Sequence, residues 1–218
     1  MNAYERHLQE RGLTEYIIDG SINPIKWAES KVRILFLLKE TYGYQGCGII
    51  KIEDCAYSWL EEARIKTYVK MVTLAAAIEL GLKRGVPLPP VEINSLSGNH
   101  ELLHGVLGRM AVVDIKKHSG ESTSNDREIR EESHKNASLL HAQIEELSPT
   151  ILIAGGNVCW HSLTEDIGLF GPVSGCAKFD AVVCKNTVLC YSNHPAARRG
   201  GFDIHVLHRA VLSASNRN

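Results

Sequence analysis

One apolar run of strand length stands in the first fifth of the chain: Val32-Arg33-Ile34-Leu35-Phe36-Leu37-Leu38. Such a run suits a central parallel strand that is buried on both faces of a sheet. Directly after it, the chain turns polar at Lys39-Glu40-Thr41-Tyr42-Gly43-Tyr44-Gln45-Gly46. This loop follows the carboxyl end of the predicted strand, where open α/β sheets bind ligands. The segment therefore predicts both a buried sheet and a functional edge.

Strands and helices alternate along the rest of the chain. Further apolar runs predict strands at residues 110–115, 150–154 and 187–191, with more strand material at 182–183. Apolar residues at helical spacing predict helices at residues 4–11, 56–82 (one helix or a broken pair), 101–108, 125–147 and 203–212, and residues 86–90 predict a stiff connection. This order predicts an α/β fold of one domain, residues 1–218. We expect a three-layer sandwich with a central four-stranded, mostly parallel sheet and helices on both faces.

Composition and charge limit the classes of function. The 218 residues are 44% hydrophobic and 22% charged, which is ordinary globular usage, and 24 Lys and Arg balance 25 Asp and Glu. No global field attracts nucleic acid or anionic lipid, so any polyanion must be met by local patches. Without a leader or a membrane-spanning run, we expect a cytoplasmic protein with no membrane partner. The six scattered cysteines lack any CxxC pair, and we expect them to be reduced and to pack as small apolar residues.

A second polar loop follows the last predicted strand, at Ser192-Asn193-His194-Pro195-Ala196-Ala197-Arg198-Arg199-Gly200-Gly201. Proline restrains the backbone of His194 to extended conformations. Two arginines beside two glycines give a cationic tip that can approach phosphates closely. The loop predicts a catalytic or nucleic-acid-binding element, with a solvated basic turn as the alternative.

Together, the loops that follow the predicted strands resemble the motifs of the uracil-DNA glycosylase superfamily over most of the chain from Arg33 onward. The first loop is most similar to the group whose motif reads Gly-Glu-Ala-Pro-Gly, since Glu40 falls on the Glu and Gly43 on the final Gly. Lys39, Thr41 and Tyr42 depart from that motif. The group also carries four cysteines that bind an iron-sulfur cluster, and no cysteine here falls at those places. We therefore expect no cofactor and no metal.

The resemblance implies a monofunctional DNA glycosylase that hydrolyses an N-glycosidic bond. Glu40 would be the anionic or water-positioning group beneath the sugar, and His194 would donate a hydrogen bond to the departing base. Thr41 stands where many relatives place an Asp or Asn that handles the attacking water, and a hydroxyl is not a strong base. Asn157, at the start of a predicted helix, would position substrate or water, or would simply cap that helix.

Two positions bear on the target base. Asp114 stands where uracil-specific relatives use an Asn to read the pyrimidine, and a carboxylate accepts hydrogen bonds from the amino group of cytosine. Gly43 leaves room beside the pyrimidine 5-position, which strict uracil enzymes close with an aromatic ring. The pair predicts a 5-substituted cytosine, such as the hydroxymethylated or glucosylated base of some phages, and hence a role in anti-phage defence. A uracil-excising repair enzyme is the alternative.

DNA, double-stranded or single-stranded, is the predicted partner, and we expect a monomer. Base flipping requires groups that hold the strand and stack on the extruded base. The predicted DNA contacts are Arg198, Arg199, Lys116, Lys117 and Ser119, and the predicted stacking residues are Tyr42 and Tyr44.

Two alternatives come from other classes of function. His100-Glu101-Leu102-Leu103-His104 matches H-E-x-x-H, in which two histidines one helical turn apart bind zinc in metallopeptidases. A catalytically silent DNA-binding module that keeps the fold is the other alternative. A glycosylase leaves abasic sites in DNA, whereas a metallopeptidase or a silent DNA-binding module leaves none.

Overall fold

Helices and strands alternate in the structure, a computed structural model that describes residues 3–44, 46–61, 66–121, 123–171, 173, 176–197 and 201–216. The helices are α1 Ala3–Glu10, α2 Pro24–Glu29, α3 Ile52–Glu61, α4 Lys66–Arg84, α5 Pro90–Leu96, α6 His100–Leu107, α7 Asp126–Leu147, α8 Asn157–His161 and α9 Ile204–Ser215, with a π-helical turn at Ser162–Asp166. The strands are β1 Tyr16–Ile18, β2 Gly20–Ser21, β3 Ile34–Leu38, β4 Ile49–Lys51, β5 Met110–Asp114, β6 Ile151–Gly155, β7 Ala181–Cys184 and β8 Thr187–Ser192.

The main sheet is mixed and has six strands in the order β2-β5-β3-β6-β8-β7. Neighbours among β5, β3, β6 and β8 pair in parallel, while β2 and β7 pair antiparallel at the two edges. The predicted α/β class is confirmed, but the predicted count of four strands is wrong. β2 has only two residues, too few to show a periodic pattern, and β7 forms a hairpin with β8. A separate parallel pair joins β1 to β4.

Helices cover both faces of the sheet. Every residue of β3 is buried, and alternate residues enter different cores. Ile34, Phe36 and Leu38 pack in a core with residues of α3, α4, α5, α6 and α9. Leu35 and Leu37 pack in a second core with residues of α2, α7 and α8. The unbroken apolar run is therefore explained, because both faces of this strand are buried.

Local signals mark several helix ends. Asn125 caps α7 by accepting a hydrogen bond from the Arg127 N–H, and Asp203 caps α9. The predicted stiff connection at residues 86–90 is too long, because α5 already begins at Pro90, where the missing N–H of proline costs the first turn nothing. All six cysteines are free. Among the described residues, no helix combines the length and apolar character needed to cross a membrane.

Candidate active site

The carboxyl ends of the four parallel strands lie at one edge of the sheet. Leu38 is paired with Asp114, and Gly155 is paired with Ser192, so these strands end level with each other. The pairing of β3 with β5 continues past the strands, because the Lys116 N–H donates to the Lys39 carbonyl, at 3.0 Å. The loops after β3, β5, β6 and β8 therefore emerge together.

Glu40 is buried at this edge and bound to a lysine. The Glu40 Oε2 lies 3.0 Å from the Lys116 Nζ, and these two side chains are only 4% and 5% exposed. Lys116 also contacts Glu128, at 2.6 Å. Burial alone would lower the pKa of Lys116, but its hydrogen bonds to Glu128 and Glu40 outweigh burial and raise this pKa. Lys116 therefore holds the Glu40 side chain in place through a buried ion pair.

Gly120 packs directly on the Glu40 carboxylate. A β-carbon at residue 120 would lie 2.1 Å from the Glu40 Cδ and Oε2, far inside contact distance. We expect Gly120→Ala to push this carboxylate away from Lys116 while the fold is kept. If Glu40 has the catalytic role that the resemblance implies, the variant lowers the rate of base release about tenfold, since small misplacements of a catalytic group are costly. Single-turnover assays measure the rate. Gly105→Ala, where a β-carbon meets only ordinary contacts, is the matched control; equal rates for the two variants would contradict this positioning role.

Thr41 and Asp114 form a hydrogen-bonded pair next to Glu40. The Thr41 hydroxyl donates to the Asp114 Oδ2, at 2.5 Å. The Asp114 Oδ1 is buried and has no partner among the described residues. Burial, the nearby carboxylate of Asp19 and, to a smaller degree, Glu40 raise the pKa of Asp114 to about 7, against the opposing effects of Thr41 and Lys117. Asp114 therefore exchanges its proton near neutral pH.

The raised pKa of Asp114 predicts a pH-dependent stability. An unfolded aspartate has a pKa near its ordinary value, so the folded state binds one more proton between about pH 4 and 7. The stabilising effect of that proton is complete below this window and is lost as the pH rises through about 7. We expect the Tm of the wild type to fall by at least about 3 °C relative to Asp114→Asn between pH 5 and 8. Parallel Tm curves in calorimetry would contradict this.

His194 is held as a neutral hydrogen-bond donor. Its Nδ1 accepts the backbone N–H of Ala196, at 3.1 Å, so the proton of the neutral ring lies on Nε2. Burial and the charges of Lys39 and Lys70 lower the pKa of His194 to about 4, although Glu40 acts in the opposite direction. Lys70 also fixes the loop by donating to the Pro195 carbonyl, at 3.0 Å. The imidazole is therefore uncharged at physiological pH.

Glu40 and His194 share this edge of the sheet. The carboxylate acts electrostatically on the imidazole, and Lys39, the neighbour of Glu40, acts on it too. Gly156 lies between the two loops, since a β-carbon there would be 3.8 Å from the Lys39 Cε and 3.9 Å from the His194 N. Its φ of +120° also favours glycine. An acidic loop and a histidine loop, 154 residues apart by their numbers, are thus brought to one place.

The predicted base-contacting residues differ in accessibility. Tyr42 is 62% exposed, and the space beside Gly43 is open. Gly43 has a φ of +92°, which favours glycine at this position. Tyr44 instead packs its ring on Trp59, with ring centroids 5.7 Å apart, and contacts the core. Asn157 is exposed, and its Oδ1 accepts the hydroxyl hydrogen of a neighbouring tyrosine, at 2.7 Å; the preceding glycine is the N-cap residue of α8, so Asn157 does not cap that helix.

The predicted phosphate contacts are only partly accessible. Lys117 is fully buried and bound to Asp19, at 2.8 Å, so the prediction that its ammonium contacts phosphate is wrong in this structure. Lys116 is likewise buried against Glu40, and contact between its ammonium and phosphate does not fit this placement. Ser119 accepts a backbone N–H from the first loop, at 3.0 Å, and joins the two loops. Arg198 and Arg199 lie outside the described residues.

Several residues of the site were not singled out from the sequence. Lys39 directly precedes Glu40, so its place in the same loop was a usable signal, and Gly120 was an isolated glycine in a polar loop. Lys70 and Asp19 gave no local signal. Lys70 lies inside a helix, and Asp19 reaches the site only through long-range contacts with Asp114 and Lys117.

The H-E-x-x-H segment forms the surface helix α6. His100 is exposed in its first turn, after the cap residue Asn99. The His104 Nε2 lies 3.6 Å from the Glu61 Oε1, and its ring contacts Tyr57. In the part of the chain that the structure describes, no group of three or more His, Cys, Asp and Glu side chains is arranged to hold a metal ion. The donor set that a zinc peptidase needs is therefore incomplete among these residues.

Comparisons with known proteins add no assignment. No protein-family model matches the chain, and no curated protein matches it.

Proposed function

We propose that this protein is a DNA glycosylase that releases a flipped-out pyrimidine by hydrolysing its N-glycosidic bond. One observation carries the proposal: a buried carboxylate, Glu40, and a neutral imidazole, His194, lie at the same edge of the sheet. The similarity of the loops to the uracil-DNA glycosylase motifs supports the same reaction and the same fold.

Glu40 and His194 match the two opposite charges that form in the transition state. Breaking the bond between sugar and base builds positive charge on the sugar and negative charge on the base. Glu40 stabilises the sugar from beneath, and the Nε2–H of His194 donates to a carbonyl oxygen of the leaving base. Because Thr41 donates its own hydrogen to Asp114, its oxygen remains free to accept a hydrogen from the attacking water. The water is thus oriented by Thr41 and its attack is aided by Glu40.

The carboxyl group of Asp114 favours a cytosine derivative as the target. In its ionised form, Asp114 has a buried acceptor, Oδ1, with no partner among the described residues, and the amino group of cytosine would satisfy it. The open space at Gly43 accommodates a substituent on the pyrimidine 5-position. We therefore infer a 5-substituted cytosine as substrate, in hydroxymethylated or glucosylated form, and a role in defence against phages that carry such bases. The exposed ring of Tyr42 supplies a face on which a flipped base stacks.

A panel of duplexes tests the proposal. Each duplex carries one uracil, 5-methylcytosine, hydroxymethylcytosine or glucosylated hydroxymethylcytosine, and alkali converts abasic sites to strand breaks. We expect breaks with the hydroxymethylated or glucosylated base. Breaks with uracil alone would keep the glycosylase and reject the cytosine substrate. DNA binding without breaks on any duplex would support the silent DNA-binding module and overturn the proposal.

A further inference from the structure

A cavity of about 630 Å³ lies beside the His194 loop, in the size range of ligand sites. It is bordered by α4, α5 and the start of α9. Most of its wall is apolar and includes two aromatic rings: Val69, Ile93, Phe179, Phe202, Ile204 and Val206. Neither Glu40 nor His194 lines it, so the cavity is separate from the candidate active site.

Phe179 is held in a strained backbone conformation at this wall. Its φ is +67°, in the left-handed region that a bulky side chain rarely adopts. Its N–H donates to the Tyr191 carbonyl, at 2.7 Å, which fixes the backbone there. Strain of this kind persists where the surrounding structure enforces it, and it is concentrated at ligand sites. The half-buried ring of Phe179 thus presents an aromatic surface to the cavity.

Polar side chains also line the cavity: Lys70, Thr73, Asn94, Ser97, Asp203 and His205. Asn94 is exposed on α5, and the buried Nδ1 of His205 has no partner among the described residues. Lys70 connects the cavity to the active site, because it lines the cavity and donates to the Pro195 carbonyl, next to His194. Lys70 therefore places a positive charge between the cavity and the His194 loop, and such a charge attracts the phosphates of a strand.

We propose that this cavity binds a second, unpaired nucleobase of the DNA strand, adjacent to the base that is excised; the inference rests on the proposed function. Apolar walls with an aromatic surface suit the flat face of a base, and the polar side chains that line the cavity suit its edge. The enzyme therefore prefers DNA in which the neighbour of the target base is unpaired.

Binding of single strands tests this inference without base release. Fluorescence anisotropy compares a labelled single strand with a series in which one base at a time is removed, leaving an abasic analogue. We expect removal of one base neighbouring the target to weaken binding about 5- to 100-fold. Asn94→Trp, which fills the cavity from its rim, abolishes this dependence. Val91→Trp, also exposed on α5 but outside the cavity wall, preserves it.

A second variant separates loss of the binding surface from misfolding of the Asn94→Trp protein. Phe179→Gly removes the aromatic surface while suiting the backbone angle, and we expect the same loss of dependence on the neighbouring base. Equal binding of every strand in the abasic series would overturn the inference. So would an equal dependence on the neighbouring base in the Asn94→Trp and Val91→Trp proteins. Displacement by free nucleotides, with no dependence on position in the strand, would also overturn it. Failure of the proposed function is recognised separately, as absence of alkali-labile sites while the dependence on the neighbouring base persists.

Discussion

For the proposed glycosylase, we expect Glu40→Gln to lower the rate of base release by about 10³, because a neutral amide would neither stabilise the positive charge on the sugar nor aid the attacking water. Gln keeps the size of the side chain and a hydrogen-bond acceptor for Lys116, so folding is preserved. Single-turnover assays under saturating enzyme isolate the chemical step, and DNA affinity should change little.

Glu128→Gln is the matched control for this experiment. Glu128 is the other carboxylate that contacts Lys116, at 2.6 Å, but it is 45% exposed and lies on α7. If the effect at Glu40 came only from leaving Lys116 without a partner, both variants would lose activity equally. We expect Glu128→Gln to keep most of the wild-type rate. Equal losses would contradict the role of Glu40 in the chemistry.

His194→Ala lowers the rate by about 10² to 10³, the usual effect of removing one donor to a developing oxyanion. The pKa of His194 is about 4, so the imidazole stays neutral between pH 6 and 9. Titration of His194 therefore does not change the rate over this range. The rate of base release is measured across this range for both proteins. A ratio of the two rates that changes steeply with pH would contradict a neutral donor.

His100→Ala is a suitable control because it removes an exposed histidine that lies on α6. The variant also tests the alternative function, since His100 is the first histidine of the H-E-x-x-H segment. Full base release by His100→Ala agrees with the glycosylase. Stoichiometric zinc in the purified wild type that is lost in His100→Ala would favour the metallopeptidase instead.

Long apolar runs made the inner sheet predictable. The strand after Arg33 and the strands at 110–114 and 151–155 were identified because burial on both faces leaves an unbroken apolar signal. The short strands β1, β2 and β4 were not predicted. β4 has exposed residues at both ends and depends on pairing with β1, a contact that no local pattern encodes.

The site was predictable only where its residues follow the strands. The common edge of Glu40 and His194 was predictable because parallel strands bring their carboxyl ends together, whereas the expectations for Thr41 and Asp114 came from the resemblance to the glycosylase motifs. Lys117 was predicted wrongly for a physical reason: two adjacent lysines in a polar loop resemble an exposed basic patch. The carboxylate that buries Lys117 comes from Asp19, 98 residues earlier. Sequence patterns at short range do not reveal such a partner.

The fully buried contact of Asp19 with Lys117, fixed further by Gln143, has a consequence for acidity at the site. Removing one member of such a pair costs about 3 to 5 kcal/mol, so the three side chains change together or not at all. Asp19 also accepts the backbone N–H of Asp114 and raises the pKa of that carboxyl group. If Asp114 holds the base as proposed, the acidity of that reading group is thus set in part by a residue between β1 and β2 that is itself shut off from solvent.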